Sequence, residues 1–491
     1  MRLQVTFATA IFLAAISVAR AAEPTLIAPL YIEYTSASDK EFAAQVEELR
    51  RRIGEPGPNI LVGFSAFLGL RVRDPQLNKP IDQTAIEPTL ADIDLMVNRA
   101  QTNHIPLHIS VVSNFFHGNS SLRETAIRED VRNAQWFADG WIALPEEIQA
   151  RSAVPKSAWI TPSRYAQPLR QRIEESARIT GKHLAEAMEK FPGALISISG
   201  DSEVEFSYER NLDGGERPLG GPKIFYTDYS PFMVAEFRDW LRDTRYAGDR
   251  SPATDDNRDG HTLNRDFHQQ FRTWDLRYFN DSGPIPYEQY RGMPQKLPLS
   301  GRYFIEGGFD APREAAASDA FWQAWKAFRT RVIANYLRDF GAWITDDSRI
   351  PASRFYTHQI PADYVFAGKN GFRLETSASP LETAFLPRMA SAGVTVFDAF
   401  NGRSHVKTSN SAMFQRLEKS GAWGILEYNP SVPAVDDETY YLTTLRALYA
   451  FHPTIIAPFA WTNNEQHKQY QIQGTAFARA LKKFIEENQN R

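Results

Sequence analysis

Two short stretches, far apart in the chain, each end an apolar run in a carboxylate. One is Ala194-Leu-Ile-Ser-Ile-Ser-Gly-Asp-Ser-Glu203-Val-Glu205; the other is Trp423-Gly-Ile-Leu-Glu427-Tyr-Asn-Pro430. An apolar run that stops at an acid followed by a turn signal is how a parallel barrel strand delivers a side chain to its C-terminal rim. Two carboxyl groups facing each other across a pocket, one protonated and one ionised, are the minimum equipment for breaking a glycosidic bond. Glu205 lies two residues beyond Glu203, on the same side of an extended strand, and competes with it for the first position. Taken alone, any one of these acids also reads as a solvated or ion-paired loop residue.

The elements that must hold such a pair can be read along the chain. Strand-like runs occur at 26–33, 59–67, 106–114, 194–203, 354–359, 394–398, 423–427 and 455–461. Helix-like stretches separate most of them. Asp39 to Ile53 has apolar residues at Phe42, Val46, Leu49 and Ile53 and is closed by Gly54 and Pro56. Thr89 to Ala100, Gln167 to Lys190, Pro380 to Ala392 and Glu438 to Ala450 fit the same role. Eight strands alternating with helices predict an α/β chain folded as a (β/α)8 TIM barrel. An open doubly wound sheet is the rival, but its glycine-rich phosphate turn is missing after the first strand.

The spacing is uneven. Phe206 to Pro351, between strands four and five, is far longer than one crossover needs. It predicts a large insertion on the catalytic face, about 206–351, with helices at Phe232 to Tyr246 and Ala316 to Trp343. The expected organisation is a leader at 1–21 and a single barrel domain at 22–491. Polar strand ends supply substrate-binding candidates: Glu33 after strand one, Asn114 after three, His358 and Gln359 after five, and Asp398 after six. Trp461 after strand eight could floor a sugar site or simply pack the barrel mouth. Trp423, inside strand seven, reads as core.

Numbered in order, Glu203 ends strand four and Glu427 ends strand seven. This arrangement resembles the superfamily of retaining glycosidases called clan A. The helix Ala235-Glu-Phe-Arg-Asp-Trp-Leu-Arg-Asp-Thr-Arg-Tyr246 also resembles the FRxWL helix that follows the acid/base strand in family-42-type β-galactosidases. The resemblance implies a retaining β-glycosidase in which Glu203 is the acid/base and Glu427 the nucleophile, acting on oligosaccharides or glycan side chains with no required cofactor. Those enzymes carry Asn-Glu where this chain has Ser202-Glu203. That Asn binds the sugar 2-OH, so the departure keeps open a carbohydrate-binding barrel without turnover; a lyase or transglycosidase on the same fold is a third reading.

Asp255-Asp-Asn257-Arg-Asp259-Gly260 matches the opening of an EF-hand-type loop, with Asp266 at position 12 where Glu is usual. The reading is a structural calcium site; its alternative is an Asx-rich turn with no ion. No HExxH or clustered histidine suggests a catalytic metal. There are no cysteines, which excludes disulfides and thiolate chemistry. Arg2, a short apolar run from Val5 to Val18 and Ala19-Arg20-Ala21 form a secretory-leader pattern. Removing it takes Arg2 and Arg20 and no acid, so Lys+Arg falls from 55 to 53 against 59 Asp+Glu and the charge moves from −4 to −6. A mildly acidic chain argues against nucleic acid. The expected protein is periplasmic or secreted, off the membrane once its leader is gone, with carbohydrate as its partner and its oligomeric state open.

Overall fold

The computed structural model describes residues 24–74, 76–113, 120–136, 142, 163–202, 204, 207–210, 223–226, 228–240, 284–292, 320–361, 380–398, 411–430 and 435–489. Its barrel strands fall on all eight predicted runs. Strand one is Thr25–Ile27. Strand two is Ile60–Val62, continued by Phe64–Gly69. Strand three is Leu107–Val112, four Leu195–Ser202, five Phe355–His358, six Ala392–Phe397, seven Trp423–Asn429 and eight Ile455–Pro458.

Every neighbouring pair is parallel. Strand one pairs with two and eight, eight with seven, and seven with six. The second half of strand two pairs with three, three with four, and four with five. The ring closes where five meets six. There Gln359 bridges Val394, the Thr357 amide donates to the Ser391 carbonyl, and the Thr395 amide donates to the Gln359 carbonyl. Strand two serves both sheets by turning at Gly63, where a Cβ would collide with the Pro106 carbonyl. The fold is an α/β (β/α)8 barrel.

The side-chain period of two sorts the strands into two apolar layers. Leu26, Ala28, Tyr356, Leu426, Ile455 and Ala457 form one cluster inside the bore. Their chain neighbours Ile27, Phe355, Ile425 and Ile456 join the larger core beneath the helices. Burial on both faces is why these strands read as nearly continuous apolar runs.

Helix ends follow their local chemistry. Asp39–Ile53 begins with a capping box between Ser38 and Glu41 and ends at Gly54, whose φ of 105° suits glycine. Its four predicted apolar positions are all buried. Gln167–Lys190 has the predicted bounds. The helix expected over Pro380 to Ala392 stops at Ala384, because Pro387 removes an amide donor and clashes with the preceding turn.

The expected insertion is also redrawn. Ala320–Thr345 packs along Gln167–Lys190 and onto strands four and five, so it is the barrel's own crossover helix. Additional chain can begin only after strand four and must end before residue 320. Within it the described pieces are an antiparallel hairpin of Ser207–Arg210 with Lys223–Tyr226, the helix Pro231–Trp240 and the short helix Tyr287–Gly292. The leader at 1–21 lies outside the described residues. Among the described residues no helix is long and apolar enough to cross a membrane.

Candidate active site

Strands three and four carry polar side chains at alternate positions, all facing the bore. His108 Nδ1 hydrogen-bonds with Ser197 Oγ at 2.9 Å, and its Nε2 with Ser199 Oγ at 3.1 Å. Ser110 Oγ meets Ser202 Oγ at 2.8 Å and His358 Nδ1 at 3.5 Å. His358 Nε2 hydrogen-bonds with Thr395 Oγ1 at 3.0 Å. Hydroxyls and imidazoles thus connect strands three, four, five and six just above the apolar plug. Burial holds His358 down to about 3; burial, then the nearby His358, does the same for His108. Both rings are therefore neutral at ordinary pH.

Strand four gains one residue against strand five. Ser199 is in register with Tyr356 and Ser202 with His358, so three steps on one strand answer two on the other. The bulge lets Ser199 and Ser202, three positions apart, both face the bore. Asp201 is thereby turned to the helix side. Its buried carboxylate accepts the Ser113 amide and the Tyr336 hydroxyl, each at 2.9 Å, and the Ser113 hydroxyl. Desolvation raises Asp201 to about 6, against the opposing pull of Ser113 and Arg164.

Strand seven bulges at the same level. Ile425 is in register with Val394 and Glu427 with Thr395, leaving Leu426 as the extra residue. Leu426 sits in the bore cluster, whereas Tyr428, two residues on, packs on the helix side against Phe477. Without the bulge these two would share a face. With it, Glu427 and Asn429 face the bore beside Thr395. Asn429 Nδ2 donates to Glu427 Oε1 at 2.7 Å, which fixes the carboxylate. The strand runs two residues past Glu427 rather than ending there.

The remaining predicted residues divide. Glu203, Glu205 and Asn114 lie outside the described residues, as do Asp255, Asn257, Asp259 and Asp266. Among the described residues no cluster of acids and histidines could hold a metal ion. His358 belongs to the bore network. The Gln359 side-chain amide is buried and makes no hydrogen bond among the described residues. Asp398 Oδ1 accepts from Tyr440 of the Glu438–Tyr449 helix at 2.7 Å, an attachment on the helix side. Glu33 Oε1 accepts from Thr462 Oγ1 at 2.6 Å, tying strand one to the loop after strand eight.

Of the two readings of Trp461, packing is the one that its burial fits. It is 0% exposed, donates Nε1–H to Gln45 Oε1 and packs near Phe64, so neither ring face is open to a ligand. Trp423 is core, as expected, with its Nε1–H on the Phe451 carbonyl. Thr395, Ser110, His108 and Asp201 were not among the predicted site residues. For His108 and Ser110 the signal is the polar period in Leu107–Val112 and Leu195–Ser202, His-x-Ser and Ser-x-Ser inside apolar strands.

A closed (β/α)8 barrel with a carboxylate turned into its mouth is the class defined by fold and site. No protein-family model and no curated protein sequence matches the chain. Similar solved structures include the exo-beta-1,4-mannosidase Op5Man5 from Opitutaceae bacterium strain TAV5, at 9% identity and TM-score 0.43, covering 95% of this chain and 60% of that one. The apo exo-carrageenase GH42 from Bacteroides ovatus is similar at 10% identity and TM-score 0.47, over 87% of this chain and 48% of that one. The endo-1,4-beta-mannanase from Rhizomucor miehei is similar at 8% identity and TM-score 0.44, over 95% of each chain. The chain thus spans 60% of the first of these and about half of the second.

Proposed function

We propose that the protein is an exported retaining β-glycosidase, β-galactosidase-like, that hydrolyses oligosaccharides or glycan side chains by double displacement. The observation that carries this reading is the bulge at Leu426, where Glu427 faces the bore beside Thr395. A bulge that re-aims one side chain at a strand end is a recurrent device next to active sites. Glu427 is the nucleophile in this reading. Its amide neighbour Asn429 keeps the carboxylate oriented for attack on the anomeric carbon. Glu203 is the acid/base, with Glu205 its competitor, following the second bulged strand. The acid gives its proton to the leaving oxygen and then takes one from the water that releases the glycosyl-enzyme. Export rests on the leader pattern of residues 1–21.

The test is hydrolysis of aryl β-glycosides, with aryl α-glycosides beside them, by wild type and by Glu427→Gln, Glu203→Gln and Glu205→Gln. Glu427→Gln should lose at least about a thousandfold in kcat. Nuclear magnetic resonance of the first-formed sugar should show the β-anomer. Cleavage of the α set alone, or an inverted product, would refute the retaining-β mechanism.

One observation favours a second reading, a carbohydrate-binding barrel without turnover. Ser202 is 7% exposed and its hydroxyl is engaged by Ser110, so it does not extend to a sugar as an Asn would. In that case every variant would keep ligand affinity and no glycoside would be cleaved.

A further inference from the structure

On the helix side of strand four, outside the bore, lies a cavity of about 380 Å³. Its walls are the start of Gln167–Lys190, the middle of Ala320–Thr345 and the face of Pro231–Trp240. The volume falls within the range of small-molecule sites. Its charges largely cancel. Arg170 is ion-paired with Asp339 on the facing helix. Arg164, 3% exposed, lies over the Tyr336 ring and interacts electrostatically with the buried Asp201 and Asp228. Arg331 and Glu236, both exposed, bring one charge of each sign to the mouth. An acidic ligand would meet carboxylates behind each fixed arginine, and a cationic one would meet the arginines first.

What remains is a lining dense in fixed donors and acceptors, with an aromatic side. Trp240 is half-buried and packs with Phe328, 5.8 Å between ring centroids, while Tyr165 and the exposed Asn335 complete the wall. Aromatic carbon beside planar amide, carboxylate and guanidinium groups suits a ring with apolar C–H faces and a hydroxylated edge. From this juxtaposition we infer that the cavity is a second carbohydrate-binding site, taking an uncharged pyranose unit of a chain held apart from the bore. The inference rests on the glycosidase reading for its ligand class only. Tyr336 links the two regions, since it lines the cavity and donates to Asp201, two residues before Glu203.

The experiment uses full-length protein with Glu427→Gln, so that probes are not consumed. Mannotetraose, cellotetraose and β-1,4-galactotetraose are titrated by calorimetry, with tetragalacturonate as the acidic probe. At least one neutral tetrasaccharide should bind, and Trp240→Ala should weaken that binding about tenfold. Because Trp240 is partly packed, the exposed Asn335→Ala is made beside it and should also weaken binding. In the Glu427 background both changes should leave aryl-glycoside kcat within twofold. Unchanged affinity in both variants, or binding of tetragalacturonate alone, would overturn the inference. Absence of aryl-glycoside hydrolysis with retained Trp240-dependent binding would instead count against the glycosidase reading and leave the cavity assignment standing.

Discussion

Glu427 on strand seven stands in register with Thr395 on strand six, and Thr395 is hydrogen-bonded to His358 on strand five. The carboxylate is thereby tied to a frame that reaches Ser110 and Ser202 on strands three and four. The bulge lets Leu426 and Glu427, neighbours in sequence, both face the bore.

Deleting Leu426 should make the pairing with strand six regular and still leave Glu427 opposite Thr395 on the bore face, because the residue that then follows Ile425 takes the face Ile425 does not. Turnover should therefore survive, with a lower urea midpoint from the lost bore side chain. Loss of kcat equal to that of Glu427→Gln, with an unchanged far-ultraviolet dichroism spectrum, would show that the extra residue itself aims the carboxylate.

Thr395→Val keeps shape but removes the partner of His358 Nε2. A buried nitrogen left without its hydrogen bond costs about 1–3 kcal/mol. The urea midpoint should fall accordingly, and Thr395→Ser should recover most of it.

The two bore histidines make the protein acid-sensitive. Folded, each holds its proton only near pH 3; unfolded, each takes one near 6.5. Acid thus favours the unfolded chain: their contribution is complete above about pH 6.5 and is lost as the pH falls toward 3. Asp201 acts oppositely, since its raised value of about 6 against 3.8 unfolded favours the folded chain as the pH falls through that interval. Two larger shifts outweigh one smaller shift, so stability should decline on acidification. Urea midpoints at pH 7 and 4.5 measure this. His108→Asn should flatten the slope, and an equal slope in wild type and variant would contradict the assignment.

The helix Ala476–Asn488 packs on Asp39–Ile53 and Glu438–Tyr449, covering the barrel near strands one and eight. Phe484 is 0% exposed and meets Tyr449 at 5.2 Å. Phe484→Ala should cost about 3–5 kcal/mol, read as a lower thermal midpoint.

All eight barrel strands were legible because each is buried on both faces and so stands out as an apolar run between turn signals. Asp39–Ile53 was legible to its last residue through its apolar spacing and Gly54. Three features were not. Ala320–Thr345 was read as part of the insertion because sequence spacing cannot say which long helix returns to the barrel. Trp461 was given a choice that only its partner Gln45, 416 positions away, decides. The bulges at Asp201 and Leu426 follow from inter-strand register, which no single strand carries. Glu427 was singled out, but the bulge beside it was invisible.

The six side chains packed at the foot of the bore, Leu26, Ala28, Tyr356, Leu426, Ile455 and Ala457, act as a stopper. With the far end corked, the bore has one usable end: whatever reaches Glu427 must depart by the doorway through which it came. In the proposed reaction, reactant and product would have to take turns at that single threshold, and a lingering product would slow the next turnover.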